Sequence, residues 1–249
     1  MNKTSIEWCD YTWNPVTGCF HLCRNIYCYN TMKSTSPLNR FGAIYIKNGK
    51  RVSEKNWRKR QTGGIHIGSK GGINPYGFDP TFYPHRLNEP LKIREPSRIF
   101  VVDTGDLFGN WVPRPWVERI IDVVKQCDRH TFMFLTKNPE RYQEFEFPGN
   151  CWLGASVNNN KDCGNVEMLK QANAKIKYLS IEPLLGPVTC PLNGIQWIII
   201  GAQTGKNPLN PERGWVDGLL KQAERYEIPV FIKTNIKRFC DKSIQEFPE

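Results

Sequence analysis

Long apolar runs are missing from this 249-residue sequence. Its most hydrophobic stretches, such as Ile99 to Val102, Phe132 to Leu135 and Trp197 to Ile200, fall far short of the ~20 residues that cross a bilayer. The opening MNKTSIEWCDYTWN also lacks the apolar core of a secretory leader. A soluble, cytoplasmic protein with no membrane partner is expected. There is no C-x-x-C pair, and the nine cysteines do not follow the even, regular spacing of a secreted disulfide framework. That pattern points to a reducing compartment, where clustered thiols serve metals or catalysis. No internal repeat and no clean linker appear. Nor is the chain depleted in apolar residues as disordered chains are: 39% are hydrophobic and 23% charged, enough at this length to bury a sizeable core.

Acidic residues are in short supply, 24 against 34 Lys and Arg, which leaves a net charge of +10. Much of the excess lies between Lys47 and Arg60, where Lys47, Lys50, Arg51, Lys55, Arg58, Lys59 and Arg60 face the single acid Glu54. The segment reads either as a solvated hairpin whose lysines discourage edge pairing or as a basic arm, with Trp57 for stacking, that meets nucleic acid.

Past residue 98 short apolar runs alternate with helical patterns. Arg98–Asp103, Thr131–Thr136, Cys151–Val157, Lys177–Ile181, Gln196–Gly201 and Pro229–Lys233 are near-continuous apolar runs ending in polar residues, as strands buried on both faces are. Pro115–Cys127 and Pro211–Glu227 have helical periodicity, and Asn165–Ala174 predicts a shorter helix. The order predicts an α/β fold, a complete or partial (β/α) barrel. Ala43–Lys47 and Lys50–Ser53 flank Asn48-Gly49, a two-residue hairpin signal, and an irregular Gly- and Pro-rich stretch runs from Gly63 to Pro96. The expected organisation is a single domain over 1–249 with a hairpin-containing insertion at about 30–97.

Within Gly18–Asn30, Cys19, Cys23 and Cys28 are separated by three and then four residues. Three thiolates on one loop suit three corners of a [4Fe-4S] cube and leave one iron open. His21 offers an alternative, a Cys3His zinc site, and thiols without metal are a third reading.

The segments SIEW, TWNPVTGC, DLFG, LTKNPER, WLGASV, LSIEPLLGP, WIIIGAQTG and PVFIK occur in order over nearly the whole chain. In them the sequence resembles a radical S-adenosylmethionine (SAM)-like family of phage-associated proteins. The resemblance implies a radical SAM enzyme whose reduced cluster, on Cys19, Cys23 and Cys28, cleaves SAM so that a hydrogen atom is taken from substrate. An external electron donor is then a required partner. It also implies that Tyr27 lies near the adenine and that Thr104-Gly105-Asp106 takes the place where the superfamily binds the methionine amino group. The sequence departs from the superfamily in having four residues, not two, between Cys23 and Cys28.

Barrel geometry puts the C-terminal ends of the strands at the reaction chamber. Ser156 and Asn158 are placed there for the ribose hydroxyls, and Glu182, Lys137, Gln203 and Lys233 around the same mouth. Glu182 ranks first, because an apolar strand precedes it and Pro183 follows. The plainer readings are that Asp106 and Ser156 only cap or turn the chain and that Lys137 is a surface residue. Among the scattered cysteines, Cys151, Cys163 and Cys190 are weighed as a second cluster against small core residues. Gly201–Lys206 is one residue short of a phosphate loop, with Asn207 in place of its Ser or Thr. The competing function is a zinc-stabilised nucleic-acid-binding module on Cys19, His21, Cys23 and Cys28.

Overall fold

The computed structural model describes residues 1–21, 46–47, 50–51, 65–68, 79–204, 208–240 and 242–249. Its first strands are short: β1 (Asn2–Lys3), β2 (Tyr11–Trp13) and β3 (Val16–Thr17). β4 (Ile46–Lys47) and β5 (Lys50–Arg51) pair antiparallel with Lys47 opposite Lys50, the hairpin that Asn48-Gly49 predicts. β6 (His66–Ile67) and β7 (Thr81–Phe82) join β3 in a small three-stranded sheet. Strands and helices then alternate: β8 (Arg98–Val101), α1 (Arg114–Lys125), β9 (Thr131–Thr136), β10 (Cys151–Ser156), α2 (Cys163–Lys170), β11 (Ile176–Ile181), β12 (Trp197–Ile200), α3 (Arg213–Arg225) and β13 (Val230–Ile232).

The main sheet has the order β1-β2-β8-β9-β10-β11-β12-β13. Every neighbouring pair is parallel except β1 with β2. All six strands expected beyond residue 98 are present. β2 was not expected: three residues before Asn14-Pro15 carry too little periodicity to announce a strand. Beyond β8, two crossovers lack a regular helix. A short 3₁₀ stretch, Pro139–Glu144, follows β9, and irregular chain joins β11 to β12. α2 ends at Lys170, short of the expected Ala174, and the Lys177 ammonium donates to the carbonyls of Lys170 and Ala172 at that end.

One face of the sheet packs under α1 and α3 through Val117, Ile120, Val124, Val216 and Leu219. The other face carries Trp8, Phe100, Met133, Tyr178, Trp197, Ile199 and Phe231. The Trp8 ring lies 4.7 Å from Phe100 on β8 and 6.5 Å from both Tyr178 on β11 and Trp197 on β12. In a flat sheet β8 and β11 stand about 14 Å apart, three strand spacings, so one ring serving both marks a concave, curled sheet. Buried phenols lock the curl: Tyr178 donates to the Phe134 carbonyl at 2.9 Å and Tyr142 to that of Gly154 at 2.8 Å.

The sheet is open, with no strand ladder closing it among the described residues. Its two ends are instead tied by side chains and tail. The Glu7 carboxylate accepts from the Thr234 N–H and hydroxyl and from the Gln245 amide. Residues 244–246 run along β13, where the Ile232 N–H donates to the Ile244 carbonyl and the Glu246 N–H to that of Val230. Phe247 then covers Trp197, with ring centres 5.3 Å apart. Among the described residues no helix is long and apolar enough to cross a membrane.

Candidate functional site

Parallel strands end at one rim, and a curled sheet turns that rim into a bowl. Here the bowl is a cavity of about 420 Å³ reached by residues at or just past the C-terminal ends of β8 to β13: Asp103, Thr136, Ser156, Glu182, Gln203 and Lys233. Ile6, Trp8, Phe100 and Leu135 form its apolar floor, and Cys19 and His21 close one side.

The Cys19 side is built from backbone. Gly18 has φ +89°, its N–H donates to the Thr104 carbonyl at 3.0 Å, and it bridges Gly105. The two chains meet so closely that a Cβ on Gly105 would lie 2.6 Å from the Gly18 carbonyl oxygen. Asn14 locks the same corner: its side-chain oxygen accepts from the Thr104 N–H at 3.2 Å and hydroxyl at 2.8 Å, and its amide donates to the Asp103 carboxylate. Cys19 is thereby held half-buried at the wall, where its sulfur accepts the His21 N–H at 3.4 Å.

The His21 Nε2 sits 2.7 Å from Asp106 Oδ2. That carboxylate also accepts from the Thr136 hydroxyl at 2.7 Å, the Lys137 N–H at 2.9 Å and the Phe108 N–H at 3.0 Å. Burial alone would raise the Asp106 pKa; the hydrogen bond and charge of His21, followed by the Lys137 and Thr136 donors, outweigh it and hold the carboxyl below its ordinary value. The His21 ring meets Trp111 edge to face at 4.8 Å, so its position is fixed from both sides.

Next to Asp106, Lys137, half-buried, donates to the Asn158 side-chain oxygen at 3.1 Å, and Asn158 donates to the Pro183 carbonyl at 2.8 Å. Glu182 Oε1 accepts from the Lys233 ammonium. Asn235 pairs with both backbone groups of Ala202, and the Gln203 side-chain oxygen accepts the Leu209 N–H.

Of the expected residues, Gly105, Asp106, Lys137, Ser156, Glu182, Gln203 and Lys233 line the same cavity as Cys19. Thr104 and Asn158 are buried a layer behind, spent on Asn14 and on Lys137 and Pro183. Cys23, Tyr27, Cys28 and residues 52–60 of the basic segment lie outside the described residues. Lys137 belongs to the cavity and not to open surface. Trp8, Asn14, Thr136 and Ser180 were missed; SIEW and TWNP were visible as motifs, but which of their side chains face inward depends on the curl.

The second-cluster alternative is overturned. Among the described residues, which include Cys151, Cys163 and Cys190, no three His, Cys, Asp or Glu side chains are grouped to hold a metal. Burial pushes the thiols of Cys9, Cys151 and Cys190 up to about 12, as suits small core residues.

A family profile described as "Protein of unknown function (DUF5131)" matches residues 3–243. No curated protein matches the chain. Among solved structures, a mutant of spore photoproduct lyase is similar with a TM-score of 0.54 at 11% identity, over 93% of this chain and 78% of that one. At such identity the likeness concerns the fold.

Proposed function

The chain belongs to the DUF5131 family of proteins of unknown function, and from that premise we propose that its cavity is the reaction chamber of a radical SAM enzyme with a [4Fe-4S] cluster on Cys19, Cys23 and Cys28. The observation that carries this reading is the Cys19 thiol at the rim of a curled parallel sheet, on the wall of a cavity ringed by strand ends. The fold likeness to spore photoproduct lyase, a radical SAM enzyme, supports it.

The residues fit a cluster ligand. Unlike the buried thiols, Cys19 opens onto the cavity and its sulfur accepts an amide N–H, an interaction that tunes an iron–sulfur centre. When bound, the cluster and SAM together supply a one-electron reductive cleavage and hydrogen-atom abstraction. The chain's own residues do the holding. Gly18, Gly105 and Asn14 fix the Cys19 corner, and Asp106 orients His21. Ser156, Gln203, Glu182 and Lys233 offer hydrogen-bonding groups to the ligands, while Trp8, Phe100 and Leu135 exclude water from the floor. In this reading Lys47–Arg60 is an arm for a nucleic-acid substrate.

Anaerobic reconstitution followed by dithionite and SAM is expected to yield 5′-deoxyadenosine, and Cys23→Ala to abolish it. Wild-type protein carrying a full cluster yet neither binding nor cleaving SAM overturns the proposal.

One observation favours a second reading. Asp106 holds His21 through Nε2, the carboxylate–histidine arrangement that orients a zinc ligand through its other nitrogen. A zinc site on Cys19, His21, Cys23 and Cys28 predicts one tightly bound zinc that His21→Ala releases. Iron and sulfide in anaerobically purified protein, unaffected by His21→Ala, eliminates it.

A further inference from the structure

Glu182 and Lys233 leave the ends of β11 and β13, strands with β12 between them, and meet over the cavity. Their side chains are 25% and 16% exposed, so they are neither sealed in the core nor on open surface. The ammonium donates to Oε1, and among the described residues neither side chain makes another hydrogen bond. An ammonium has three donors and a carboxylate two acceptor oxygens, so two N–H groups and Oε2 remain available. Glu182 lies flat across Gly201: a Cβ there would stand 3.0 Å from its Cγ and Cδ.

We propose that Glu182 and Lys233 are the recognition couple of this cavity, taking a neutral group with a hydrogen-bond acceptor beside a donor, such as the CO–NH edge of a lactam ring. An anion would be drawn to Lys233 but repelled by Glu182, and a cation the reverse, so either meets a like charge beside the attracting one. A neutral acceptor–donor edge engages the spare N–H and Oε2 and leaves the pair intact. Trp8, Phe100 and Leu135 beneath it give a flat ring an apolar surface. The proposal rests on the cavity being the substrate chamber, but the couple needs no cluster to bind.

The test is ligand-observed NMR on the full chain, with uridine and N3-methyluridine as probes. Uridine is expected to bind, and N3-methylation, which replaces the donor with a methyl group, to weaken binding at least about tenfold. Glu182→Gln and Lys233→Met should each cost a similar factor. Gly201→Ala, which keeps both functional groups but displaces Glu182, should weaken uridine too. No uridine binding, equal binding of the methylated probe, or anionic orotate preferred over uracil overturns the proposal. The methylated-probe comparison uses wild-type protein and is immune to misfolded variants. SAM cleavage is read separately: discrimination between probes without cleavage defeats the enzyme and spares the couple, and cleavage without discrimination does the reverse.

Discussion

Asp106 is pulled in two directions, by burial toward the neutral acid and by His21 and three other donors toward the carboxylate, and the donors win. Because the folded pKa is depressed, the stability it contributes is complete above the ordinary 3.8 and is lost as pH falls below 3.8 toward the folded value. Asp106→Asn should lower stability at neutral pH by about 1–3 kcal/mol, since an amide N–H then faces donors. It should also flatten the fall in Tm below pH 3.8; melting curves across acid pH that stay parallel to wild type would refute this role. Gly105 sets a purely steric limit. Gly105→Ala drives a Cβ to 2.6 Å from a backbone oxygen that has little room to yield, and should cost about 1–3 kcal/mol and lower the iron retained after reconstitution. Gly149→Ala, with nothing within 4 Å, is the control.

Among the elements, the loop between β1 and β2 does more than connect. Its Trp8 fills the concave face from β8 to β12, so Trp8→Ala should cost about 3–5 kcal/mol by denaturant unfolding, and Trp8→Phe distinctly less. Equal losses would show that volume on this face is immaterial. The strands from β8 onward were legible because both faces are covered, and continuous apolar runs such as Phe132–Leu135 and Trp197–Ile200 record that directly. β2 and β3 were not, since three and two residues cannot display a period. At the site, Glu182 and Lys233 stood out as charges ending apolar strands. Thr136 and Ser180 carry no such contrast, and only the curl of the sheet turns them inward. Thr104 and Asn158 had the right addresses at strand ends, but Asn14 and Lys137 occupy them. That pairing joins residues far apart in sequence, and local pattern cannot contain it.

For the molecule as a whole, the unevenly distributed charge makes a quantitative expectation. If Lys55, Arg58, Lys59 and Arg60 grip a duplex, replacing them with Ala should reduce the slope of log affinity against log salt by about 0.9 for each phosphate they neutralise. Fluorescence anisotropy over a salt series measures it, and an unchanged slope removes nucleic acid from the segment's role. SAM should raise the Tm of cluster-loaded protein, by about 4 kcal/mol of stability at a thousandfold excess over its Kd, and leave Cys23→Ala unmoved. The buried phenols bear on the fate of stray oxidising equivalents. Tyr142 and Tyr178 point their protons at amide carbonyls, and burial keeps both far from ionising. A phenol surrenders an electron readily only when a base can take its proton, and an amide oxygen is no such base. These two rings are thus insulating, and freeze-quenched turnover samples should be free of tyrosyl spin signals from either.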